Sequence, residues 1–124
     1  MLKVLLIEDD GNVRESLATL LDASGFLVVP VASGYAAIQT IERYVPDVIV
    51  SDWSLPGFGG ATLARVLQEV LPNVPLIFLT GNAQADLALD ANEGFTCLQK
   101  PITSSALVDA LHNAMDRSCK AGRH

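Results

Sequence analysis

The chain has 124 residues, the size of one ordinary domain and too short for two independent cores. Half of it is apolar and its formal charge is −6, from 8 Lys+Arg against 14 Asp+Glu. It can therefore bury a core, and it is poorly suited to nucleic acid or an anionic membrane, where binding begins with phosphate neutralisation.

In chain order, Lys3 to Glu8 (KVLLIE) reads as a buried strand bounded by the polar cluster Asp9–Gly11. Val13, Leu17, Leu20 and Leu21 then fall on one helical stripe, with Asp10 or Asn12 as cap and Gly25 placed to end it. Phe26 to Val31 is a second strand. Its apolar stretch, to Ala32, is far too short to cross a bilayer. Ser33 can cap a helix that turns Ala37, Ile38, Ile41 and Tyr44 inward. Asp47 to Ser51 (DVIVS) is a third strand; Leu63, Val66, Leu67, Val70 and Leu71 mark a third helix. Pro75 to Leu79 (PLIFL) is a fourth strand.

Ala83 to Asn92 reads as a fourth helix with a thin stripe of Ala83, Leu87 and Ala91, and Phe95 to Gln99 as a weaker fifth strand. Thr103 or Ser104 caps a last helix with Leu107, Ala110, Leu111, Ala114 and Met115 on one side. Residues 1–117 are expected to form the domain, and Ser118 to His124 a frayed tail. Cys97 and Cys119 match no metal-ligand spacing and suggest no disulfide framework. Met1 is followed by no basic, then apolar, leader, so the expected location is cytoplasmic.

Strand–helix alternation repeated five times argues for a parallel sheet with helices on both faces, joined by right-handed crossovers. A closed eightfold barrel needs roughly twice this length. The expected fold is an α/β, doubly wound, five-stranded parallel sheet with five helices.

In such sheets ligands bind beyond the carboxyl ends of the strands. The first strand ends in Glu8-Asp9-Asp10, the third in Asp52, the fourth in Thr80 and Gly81, the fifth in Lys100 and Pro101. Lys100 is the only lysine between Lys3 and Lys120. Carboxylates within about 5 Å repel by roughly 3 kcal/mol per pair at an effective dielectric near 20. A hard cation relieves this, and an oxygen-only ligand set with room for water suits Mg²⁺, with Mn²⁺ as a substitute. A metal, Lys100 and the Thr80 hydroxyl would make a phosphoryl pocket. A carboxylate can then serve as nucleophile, and Asp52 is best placed.

The run LLIEDD followed by Arg14, then SDWSLPGFGG, LIFLTG and LQKP, resembles the receiver domain of two-component response regulators over essentially the whole chain. The resemblance implies strand order 2-1-3-4-5, flavodoxin-like. It implies that Asp52 accepts phosphate from a phosphohistidine of a histidine kinase or a histidine phosphotransfer protein. Glu8, Asp9, Asp52 and the backbone carbonyl of Ser54 would hold Mg²⁺, Glu8 mainly through water. Lys100 would pair with the phosphoryl group, Thr80 would bond to it and relay the signal, and the Lys100–Pro101 peptide would be cis. The loop from Leu55 to Gly60 supplies the turn residues for the return into the third helix. In many receivers the fourth helix, fifth strand and fifth helix form the partner surface, through which two copies could also pair as a homodimer.

Two features depart from the family pattern. Cys97 stands at the switch position usually held by Tyr or Phe, three residues before the lysine; Phe95 lies on the same strand face by two-residue alternation. The segment from Thr80 to Lys100 is somewhat short, and in this is similar to receivers of hybrid sensor kinases. Two alternative functions stand beside the phosphoacceptor switch. One is a receiver-like module that binds partners without phosphorylation; the other is a small phosphohydrolase with an aspartyl nucleophile. Simpler roles stand beside individual residues: Asp10 as a solvated helix start, Cys97 as an apolar filler, His112 as a solvent-facing residue. Trp53 reads equally as a shield over the pocket or as packing.

Overall fold

The computed structural model describes residues 1–81 and 95–121. Its strands are β1 (Lys3–Ile7), β2 (Leu27–Val31), β3 (Val48–Asp52), β4 (Leu76–Thr80) and β5 (Thr96–Gln99). They form one sheet of order β2-β1-β3-β4-β5, every neighbouring pair being parallel. The helices are α1 (Gly11–Ala23), α2 (Gly34–Ile41), α3 (Gly60–Val70) and α4 (Ser104–Ala121). Among the described residues there are thus four helices where the sequence suggests five; the expected helix over Ala83 to Asn92 lies outside them.

Alternation along each strand divides the apolar side chains between two faces. Val4, Leu6, Val48, Val50, Ile77 and Leu79 pack with Leu21 of α1 and with Leu107, Leu111 and Ala114 of α4. Leu5, Ile7, Ile49, Leu76 and Phe78 pack on the other side with Ala37 and Ile41 of α2 and Leu63, Ala64 and Leu67 of α3. Among the described residues two helices cover each face, and the central strands are buried at nearly every position. Each fully buried Leu contributes about 1.5–3 kcal/mol relative to an exposed one.

Local chemistry sets the element ends. The Asp10 carboxylate accepts from the Asn12 and Val13 amides at 2.9 and 3.2 Å, capping α1. Gly25, at φ +94°, takes the left-handed conformation that releases the chain from α1. Ser33 caps α2 through its hydroxyl and the Ala36 amide.

Val13, expected on the inner stripe, is 38% exposed. β1 ends at Ile7 and α1 begins at Gly11, so the helix's first turn lies beyond the strand's end. Val70, in the last turn of α3, is likewise exposed. α4 continues to Ala121, so the backbone of residues 118–121 is helical where the sequence suggests fraying.

β2 forms one margin of the sheet. Its Leu27 amide donates to Leu2 and its Val31 carbonyl accepts from Glu8, so both turn toward β1. By alternation Pro30 turns its main-chain nitrogen outward.

Candidate phosphoacceptor site

The carboxyl ends of β1 and β3 carry the acidic residues. Glu8 continues the line of β1, donating its amide to the Val31 carbonyl at 3.1 Å, and its side chain is only 2% exposed. Oε1 accepts from the Asp10 amide at 3.1 Å. Oε2 is buried and has no hydrogen-bond partner among the described residues. Burial is the main cause that raises the Glu8 pKa above its ordinary range. The Asp10 amide opposes that rise, the Asp52 charge adds to it, Lys100 opposes it, and Asp9 adds to it.

Asp52 closes β3 with a side chain 13% exposed. Its Oδ1 lies 3.2 Å from Lys100 Nζ and accepts from the Ser54 amide at 3.4 Å. The Asp52 main chain is fixed as well: its carbonyl accepts from the buried Ser51 hydroxyl at 2.9 Å, and the next amide, of Trp53, donates to Leu79 at 2.9 Å. One carboxylate oxygen from each of Glu8, Asp9 and Asp52 lies within 4.8 Å of the others. At that spacing, mutual repulsion of about 3 kcal/mol per pair is left for a cation to offset. An all-oxygen donor set that includes a buried oxygen without a partner fits a hard divalent ion.

Thr80, the last residue of β4, is buried, and its carbonyl accepts from the Lys100 amide at 2.7 Å. That bond carries the chain from β5 across the end of β4 and sets Lys100 against Asp52. The Lys100–Pro101 peptide is cis. The structure thus brings Glu8, Asp9, Asp52 and Lys100 together at one rim, with Thr80 and Ser54 beside them. Asp10 is separate in role: its carboxylate is occupied in capping α1.

Cys97 is partly buried, beside Phe78 in the β4–β5 register, and packs on the α2–α3 side together with Phe95. Trp53 packs in an aromatic cluster. Its ring meets Phe78 edge-on at 5.1 Å and lies 5.7 Å from Phe95, and Phe78 meets Phe95 at 5.0 Å. An added Cβ on Gly60 would run into the Trp53 indole, so glycine at the start of α3 is what lets the ring lie there. Sequence reasoning takes Gly60 only as a turn residue, and gives no role to Ser51 or Arg14. His112 is exposed on α4, with its ring 5.5 Å from that of Phe26.

Comparison with known proteins agrees with this geometry. The sequence profile of the family described as "Response regulator receiver domain" matches residues 4–112. The C4-dicarboxylate transport transcriptional regulatory protein DctD of Pseudomonas aeruginosa is 34% identical over 92% of this chain and 25% of its own length. The transcriptional regulatory protein FixJ of Azorhizobium caulinodans is 33% identical over 98% of this chain and 59% of its own. The sensor kinase CckA of Brucella abortus is 32% identical over 92% of this chain and 12% of its own. The chain therefore spans between about an eighth and three fifths of these relatives. Among solved structures, a response regulator receiver domain protein from Clostridium thermocellum superposes with a TM-score of 0.91, at 26% identity, covering 98% of this chain and 99% of that one. Sequence, fold and rim chemistry lead to one conclusion: this chain belongs to the response regulator receiver domain family, whose general function is that of a phosphoacceptor switch.

Proposed function

We propose that Asp52 is the phosphoacceptor of this domain and that Glu8, Asp9, Asp52 and the Ser54 carbonyl hold Mg²⁺, which Mn²⁺ can replace. The observation that carries the reading is the convergence of three carboxylates within 4.8 Å, one of them ion-paired to Lys100. A carboxylate oxygen of Asp52 attacks phosphorus of a phosphohistidine, forming an O–P bond as the N–P bond breaks. The imidazole nitrogen keeps the electron pair and takes up a proton. Lys100 then turns from the Asp52 carboxylate to the phosphoryl oxygens, and the Thr80 hydroxyl donates to one of them. A bound divalent ion supplies neutralisation of charge on the acids and on the transferred group. Water later attacks phosphorus, releasing inorganic phosphate and restoring the Asp52 carboxylate.

The donor is a histidine kinase or a histidine phosphotransfer protein, a reading supported by the likeness to both transcriptional regulators and a sensor kinase. Incubation with acetyl phosphate and Mg²⁺ should add one phosphate per chain, and none to Asp52→Asn. Failure of the wild-type protein to be modified would count against the proposal. One observation favours a second reading, a module that binds its partner without phosphorylation: Cys97 in place of the family's aromatic. Partner affinity unchanged by beryllofluoride would support it. Rapid turnover of small phosphate esters would instead indicate a phosphohydrolase.

A further inference from the structure

Arg14 lies in the first turn of α1, beside the acidic loop. Its Nη1 donates to the Glu8 carbonyl at 2.8 Å and reaches the Asp9 carbonyl at 3.5 Å. A guanidinium so close to acids commonly takes a carboxylate in a bidentate pair. Among the described residues Arg14 forms no ion pair, the only one being Lys100 with Asp52.

Three further main-chain groups of this loop are also held. The Glu8 amide donates to Val31, the Asp10 amide to Glu8 Oε1, and the Asp10 carbonyl accepts from the Arg14 amide at 2.8 Å. Arg14 thus supplies bonds for the main-chain carbonyls of Glu8 and Asp9, and leaves Glu8 Oε2 and the Asp9 carboxylate for another ligand.

We propose that Arg14 is a positioning residue for the divalent cation: it clamps the main chain of Glu8 and Asp9 and so sets their carboxylates against Asp52. This rests on the cation site proposed above. Outer partners that orient metal ligands commonly matter by a factor of about 10–100 in affinity. A purely electrostatic role gives the opposite sign, because a positive charge beside the site repels the cation, and its removal would tighten binding.

The test is calorimetric titration of Mg²⁺ into the wild-type protein, Arg14→Met and Arg14→Lys, each checked for folding by circular dichroism. Clamping predicts Mg²⁺ binding weaker by roughly tenfold or more in Arg14→Met. The loss is smaller in Arg14→Lys, whose ammonium keeps the charge but not the planar fork. In the metal-free state the Asp10 amide should exchange its hydrogen faster in Arg14→Met than in wild type. Equal or tighter binding by Arg14→Met overturns the proposal. Should that variant fail to fold, Arg14→Lys decides alone, weaker binding supporting the clamp and unchanged binding overturning it. A wild-type protein that binds no Mg²⁺ overturns the cation site and the clamp together; a wild type that binds beside an equally avid Arg14→Met overturns the clamp alone.

Discussion

Lys100 Nζ lies 3.2 Å from Asp52 Oδ1, across the end of the intervening strand β4. The lysine's own amide is tied to the Thr80 carbonyl, so its backbone cannot drift from the site while its side chain, 34% exposed, can turn. Lys100→Met should slow phosphorylation by acetyl phosphate by roughly 10²–10³, the usual cost of losing one preorganised partner of a developing charge. It should also tighten Mg²⁺ binding, since a cation no longer competes for Asp52. Opposite changes in labelling rate and Mg²⁺ titration identify the role; a parallel loss in both would point to damaged folding.

Glu8 makes the metal-free protein sensitive to pH. Burial raises its folded pKa above the ordinary 4.5. Below that ordinary value the group is protonated in both states and costs nothing. As pH rises from 4.5 through the folded pKa, the unfolded state ionises first and stability falls; above the folded pKa the full cost remains. Glu8→Gln removes this loss and should raise the metal-free melting temperature at neutral pH. Each 1 kcal/mol relieved amounts to roughly 3–6 °C for a domain of this size. Thermal melts of both proteins across pH 4–8, with and without Mg²⁺, check the sign. A lower metal-free melting temperature for Glu8→Gln would mean that its carboxylate is satisfied in a way the present geometry does not contain.

Asp9 and Asp10, adjacent in sequence, should separate cleanly by mutation. The Asp10 carboxylate caps α1, so Asp10→Ala should cost about 1 kcal/mol of stability and leave Mg²⁺ affinity nearly intact. The exposed Asp9 contributes to the acidic cluster, so Asp9→Asn should stabilise the metal-free protein and weaken Mg²⁺ binding. Urea denaturation paired with metal titration distinguishes the two.

Gly60 and Gly25 predict losses of similar size from different causes. Gly60→Ala drives a methyl group into the Trp53 ring and should cost about 1–3 kcal/mol, with a change in tryptophan emission. Gly25→Ala meets no atom within 4 Å but must hold φ +94°, at about 1 kcal/mol or somewhat more. Its tryptophan emission should match wild type.

Much of this architecture could be read from local pattern. The buried strands, the Ser33 cap and the Gly25 stop each depend on residues within a turn of one another, and each stands within a residue or two of its expected position. The same holds for Asp10, one of two candidate caps. What escaped depends on distant partners. Trp53 packs because Phe78, Phe95 and Gly60 all arrive at its ring, and neither a 3.6- nor a 2-residue period records that meeting. Val13 satisfies the helical stripe yet is exposed, because periodicity gives the face of a helix and not where the sheet beneath it stops. At the rim, residue types announced the acids and the lysine. The unpartnered Glu8 Oε2 and the Arg14 bonds to two carbonyls needed coordinates.

The outward nitrogen of Pro30 has a consequence for how copies of this molecule coexist. An open sheet margin invites a neighbouring chain to add a strand, and Leu27, 47% exposed at the start of β2, would reward that contact. A ring where a donor would otherwise stand interrupts the hydrogen-bond ladder midway, so no invading segment can zip along the full strand. The flank that lies farthest from β5 is thereby guarded against fibrous self-association by a single missing hydrogen.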